Sequence, residues 1–91
     1  MIKSFKTRET EKIFSRQRSA QIPEEVQRIA LRNLRTLDRA TAVQDDWLPA
    51  SNGSADTANR YTIAIDDQWR ICFQWREGQI YDVEIVDGHS A

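Results

Sequence analysis

Three runs, RYTIAI, QWRICFQW and QIYDVEIV at residues 60–65, 68–75 and 79–86, limit this chain more than any other feature. Each is rich in β-branched or aromatic residues, and only two or three residues separate one from the next. Period-two alternation with links that short specifies an antiparallel meander with one buried face. The register of the last hairpin follows from the turn. A two-residue turn at Glu77-Gly78 sets Phe73 against Asp82 and mixes polar with apolar positions. A three-residue loop, Arg76-Glu77-Gly78, pairs Phe73 with Tyr81, Ile71 with Val83 and Trp69 with Ile85, and puts Gly78 where a left-handed residue is wanted. The second register is therefore expected. By the same logic Asp66-Asp67-Gln68 is a loop that pairs Ile65 with Trp69 and Ile63 with Ile71. One face then holds Tyr61, Ile63, Ile65, Trp69, Ile71, Phe73, Tyr81, Val83 and Ile85. The other holds Thr62, Arg70, Cys72, Gln74, Asp82 and Glu84, with Arg70 opposite Glu84. Arg70 in the most apolar run thus points to the open side, as either a phosphate contact or half of a cross-strand ion pair.

The apolar face needs a cover, and the first half of the chain supplies it. MIKSF reads as a short strand with Ile2 and Phe5 inward. RETEKIFSR reads as a short helix capped by Thr7, with Glu9 and Glu11 in the first turn, where the helix dipole favours acids. The longest periodic element is PEEVQRIALRNLRTLDRAT, in which Val26, Ile29, Ala30, Leu34 and Leu37 form one stripe. Pro23, Glu24 and Glu25 suit its first turn. Arg28, Arg32, Arg35 and Arg39 line the other side, read as a solvated helix face. Residues 50–59, ASNGSADTAN, have loop chemistry. Trp47 either closes the end of the second helix or meets a partner. The 91 residues suffice for one domain, 1–91, with a single core.

Charge is unevenly spread. Residues 1–44 carry ten Lys/Arg and five Asp/Glu, a balance of +5, whereas residues 45–91 carry three and nine, a balance of −6, which together make the net −1. A basic half can attract nucleic acid or an acidic partner. No apolar run approaches a membrane span, and the polar opening MIKSFKTRETEK has no apolar leader, so a cytoplasmic protein with no membrane contact is expected. The single Cys72 excludes an internal disulfide and reads as a space-filling strand residue. No glycine-rich phosphate loop, nucleophile elbow, zinc spacing or carboxylate cluster is present, so neither metal nor other cofactor is expected. The single histidine, His89, follows Asp87 by two residues after the last strand. Asp87, His89 and Arg70 together have the chemistry to orient, protonate and electrostatically stabilise a phosphoryl group.

The segments IDDQWRICFQW and YDVEIVDGH, together with MIKSF, RETEKIF and LRNLRTLDRAT, resemble the HigB toxins of the RelE/ParE toxin–antitoxin superfamily. The resemblance covers most of the chain outside residues 47–59. It implies an α+β, RelE-like (microbial ribonuclease-like) fold, with an N-terminal strand and two helices packed on one face of a mainly antiparallel sheet. It also implies a ribosome-dependent mRNA endoribonuclease, metal-free, in which the ribose 2′-hydroxyl attacks the adjacent phosphate. A HigA-like helix-turn-helix antitoxin would neutralise the toxin and link it to operator DNA. Carried over by position, Arg70 is the strand arginine that contacts phosphate, His89 the acid/base and Asp87 its orienter. The expected RNA-binding cations are Arg60, Arg70, Lys6 and Arg8. Two departures stand out: Gly88 occupies the family's tyrosine position, and LPASNGSADTANR replaces a stretch that carries lysine and often histidine. They give the alternative reading, a catalytically impaired toxin fold that binds an antitoxin as co-repressor or decoy.

Overall fold

The computed structural model describes residues 1–49 and 59–87. Its elements are helix α1 (Arg8–Phe14), helix α2 (Glu24–Arg39) and strands β1 (Leu48–Pro49), β2 (Arg60–Ala64), β3 (Trp69–Arg76) and β4 (Gln79–Asp87). The strands form one antiparallel sheet in chain order, β1-β2-β3-β4. The expected N-terminal strand is reduced to two parallel bridges on the outer edge of β4, Ile2 with Ile80 and Phe5 with Val83. The class is α+β, with both helices against one face of the sheet.

Helix α1 begins as its sequence specifies, with the Thr7 hydroxyl accepting from the Thr10 amide at 3.3 Å. It ends in a Schellman arrangement. Arg16 takes a left-handed φ of 66°, its amide donates to the Ile13 carbonyl, and the Gln17 amide donates to the Lys12 carbonyl. The connector is then clamped to α2. Gln27 accepts from the Ser19 amide and donates to the carbonyls of Ser19 and Ile22. Ser19, itself buried, donates its hydroxyl to Glu9, and that bond is the main reason the Glu9 carboxyl sits below its ordinary pKa. Helix α2 turns Val26, Ala30, Leu34 and Leu37 inward onto Ile71, Phe73, Ile80, Val83 and Ile85. Trp47 belongs to this core. It is 5% exposed and meets Phe73 nearly edge-on, with ring centroids 4.8 Å apart.

The β2–β3 register is the expected one: Ile63 faces Ile71, and the Ile65 amide donates to the Trp69 carbonyl. The β3–β4 register is not. Arg76 pairs with Gln79, so the turn is the two-residue Glu77-Gly78, with φ values of 52° and 78°. Left-handed backbone at both central residues makes the turn whose twist matches a hairpin. The mixing of faces that this turn would cause is cancelled one step further on. Cys72 pairs with Glu84 and Gln74 with Tyr81, so Phe73 alone faces both Asp82 and Val83. Asp82, at φ 54°, is the extra residue of a β-bulge. The bulge resets the alternation, so Ile80, Val83 and Ile85 all turn inward while Tyr81 does not. Two expectations are corrected: Ile80 replaces Tyr81 in the core, and Arg70 lies opposite Val86 rather than Glu84.

Candidate nucleic-acid interface

The helices occupy one face of the sheet, and among the described residues none covers the other. Strand alternation places Arg60 and Thr62 of β2, Arg70, Cys72 and Gln74 of β3, and Tyr81 and Glu84 of β4 on that open face. Cys72 sits at its middle, between Thr62 and Glu84. Its thiol pKa is raised, chiefly by burial and next by the Glu84 carboxylate, while Arg70, Arg60 and Lys6 pull the other way. Those four charged groups therefore surround one point of the sheet. Thiol chemistry is not what the site offers, because the group stays protonated at neutral pH.

Lys6 reaches the site from the N-terminal segment, where its ammonium lies 3.6 Å from the Glu84 carboxylate. The pair is partly exposed and contributes under about 1 kcal/mol. Its value is placement, since it fixes a cation over β4 without cancelling the arginines. Arg70 is exposed and Arg60 half-buried, and neither takes part in an ion pair among the described residues. At the hairpin end, the Arg76 guanidinium lies 4.4 Å from the centre of the Tyr81 ring. This cation–π pair extends the cationic face. The sequence does not show it, because Tyr81 turns outward only with the two-residue turn that the bulge at Asp82 makes compatible with an apolar core.

The expected site residues thus divide. Arg60 and Arg70 share the open face, on either side of the Thr62–Cys72 pair, and Lys6 reaches Glu84 on β4. Arg8 does not join them: it lies on the outer side of α1, where it lines a groove with Glu11, Lys12 and Ser15. Asp87 ends β4 opposite Trp69, so alternation sends it to the side opposite Arg70, and its carboxylate accepts from the Gln68 amide nitrogen at 2.9 Å. His89 and Gly88 lie outside the described residues. Among the described residues no cluster of three or more His, Cys, Asp or Glu is arranged to hold a metal ion. No described helix is long and apolar enough to cross a membrane.

Fold and site together define a small α+β domain with a helix-covered face and an open, cation-bearing sheet face. Neither a protein-family model nor a curated protein sequence matches the chain.

Proposed function

We propose that this chain is a RelE-like toxin of the HigB type, a ribosome-dependent mRNA endoribonuclease of the cytoplasm that a HigA-like helix-turn-helix antitoxin neutralises and tethers to operator DNA. The observation that carries the reading is the placement of Arg60 and Arg70 on the open sheet face, on either side of the Thr62–Cys72 pair, with Lys6 held at Glu84 of β4. Guanidinium groups present planar forks that match phosphate oxygens. Two of them beside an ammonium, on a rigid strand pair, suit a phosphodiester held for in-line displacement. In that reaction the ribose 2′-hydroxyl loses its proton and attacks the adjacent phosphorus. The bond to the 5′-oxygen breaks, and that oxygen takes up a proton. Arg70 and Arg60 stabilise the charge that builds on the phosphoryl oxygens. His89 is the assigned acid/base, and Asp87 positions the end of β4 from which His89 follows.

A second reading draws on Gly88, which puts no phenol beside the acid/base, and on LPASNGSADTANR, which holds neither lysine nor histidine. In it the chain keeps the fold and the partner but cuts nothing. One experiment separates the two: inducible expression of this chain alone in a bacterial host, with mapping of mRNA 5′ ends. The nuclease reading expects growth arrest with new cuts inside translated codons. It also expects cleavage to fall roughly 100-fold in Arg70→Ala and by a similar or larger factor in His89→Ala. Soluble, folded wild-type protein that neither arrests growth nor cuts mRNA overturns it.

A further inference from the structure

The helical side of the molecule carries a second cationic surface that the sheet-face chemistry does not use. Arg28, Arg32, Arg35 and Arg39 follow one another at steps of four, three and four along α2, so they form a nearly straight row. At a rise of 1.5 Å per residue the row is about 16 Å long. All four are exposed, and none takes part in an ion pair among the described residues.

The row also borders a groove. A depression of about 400 Å³ runs along it, lined by the four arginines with Leu31 and Thr36. At Arg28 and Leu31 it meets a second depression, of about 260 Å³, between α1 and α2, where Ile13 and Gln17 contribute. Leu31 is half-buried and is the apolar residue common to both.

We propose that this groove is the docking site of an acidic amphipathic helix from a protein partner. Carboxylates at steps of three and four on that helix face the arginine row over about three turns, and an apolar residue beside them seats on Leu31. Two observations select a peptide over a nucleic acid. Among the described residues no aromatic side chain or histidine lines either depression, so a base has nothing there to stack on. The floor at Leu31 and Ile13 is apolar, which suits a leucine or isoleucine and gives nothing to a phosphate chain. The inference is independent of the nuclease reading, because α2 and Arg70 lie on opposite sides of the sheet.

The test uses the full chain and a labelled 20-residue helical peptide. The peptide carries glutamates at i, i+4, i+7 and i+11, with leucines along one flank. Controls are a scrambled peptide of the same composition and a single-stranded 20-nucleotide RNA. Fluorescence anisotropy at low and physiological salt is expected to show binding of the patterned peptide at least tenfold tighter than the scrambled one. Arg32→Glu/Arg35→Glu is expected to abolish it, and Arg70→Ala to leave it unchanged. If the charge-reversed double variant unfolds by circular dichroism, Arg28→Gln/Arg39→Gln takes its place, with a loss of at least tenfold expected. Equal binding of patterned and scrambled peptides overturns the proposal. So does RNA binding that is tighter than peptide binding and is lost with the same arginines.

Discussion

Thr10 shows how a single hydroxyl finishes a sheet edge. The N-terminal segment bonds β4 as far as Val83, where the Lys6 amide donates to the Val83 carbonyl at 2.8 Å and the chain then turns into α1. The next edge amide, that of Ile85, donates instead to the Thr10 hydroxyl at 3.0 Å, in a fully buried position. The same hydroxyl meets that of Thr7 at 2.6 Å, so cap, helix and strand share one bond chain. Thr10→Val preserves the shape and leaves a buried amide without an acceptor, which costs about 1–3 kcal/mol. Urea unfolding is expected to show that loss, and Thr10→Ser to recover most of it. A Thr10→Val protein as stable as the wild type would mean that the Ile85 amide finds another acceptor.

Among the elements, the two tight reversals differ in how well their residues fit the backbone. The Glu77-Gly78 turn puts glycine at one of its two left-handed positions. The end of α1 puts Arg16 at φ 66°, where a side chain costs about 1–2 kcal/mol and glycine almost nothing. Part of that cost is offset, because arginine restricts the unfolded chain more than glycine does. Arg16→Gly is therefore expected to stabilise the protein by about 0.5–1 kcal/mol, read as a higher denaturant midpoint at unchanged slope. An unchanged or lower midpoint would mean that Arg16 makes compensating contacts. Element by element, what could be read from the sequence depended on local rules. Both helices, the Thr7 cap and the β2–β3 register followed from spacing and chemistry between near neighbours. The β3–β4 register did not, because alternation does not run unbroken along QIYDVEIV. A bulge at Asp82, a residue type that tolerates left-handed backbone, allowed the shorter turn and a clean core at once. The same register difference moves Tyr81, and with it the Arg76 cation–π pair, onto the open face. Arg70 and Cys72 point outward as parity within β3 requires, Glu84 stays on the same face, and only its ion pair with Lys6 depends on the path of the N-terminal segment. Arg8 stands apart from the sheet-face cations because packing of Thr10 and Ile13 sets the rotation of α1 about its axis, and that turns Arg8 toward Lys12.

At the scale of the whole molecule, the first six residues hold the last strand in place. The Lys3 amide donates to the Ile80 carbonyl at 2.6 Å, and the Ile80 amide to the Met1 carbonyl at 3.0 Å. The Val83 amide donates to the Ser4 carbonyl at 3.2 Å. The Ile2 amide, on the far side, donates to Asp38 of α2 at 2.9 Å, and the Asp82 amide of the bulge to the Ser4 hydroxyl at 2.9 Å. The bond from Lys6 to Val83 and a longer one from the Ser4 hydroxyl to the Asp82 carboxylate, at 3.5 Å, complete the ties of this segment to β4 and α2 among the described residues. At about 1 kcal/mol each they offset the ordering of the six residues, about 1–2 kcal/mol apiece, and the burial of Ile2 and Phe5 against the core adds to them. The segment also closes the outer edge of β4, whose backbone groups at Ile80 and Val83 have no other strand beside them among the described residues. A protein beginning at Thr7 is expected to lose its cooperative urea transition and to expose the β4 edge to intermolecular pairing, measured by circular dichroism and light scattering. A cooperative transition at a midpoint near that of the full chain would show instead that β4 is held by β3 and the helices alone. The segment also delivers Lys6 to the sheet face, so the part of the chain that closes the fold is the part that completes its cationic site.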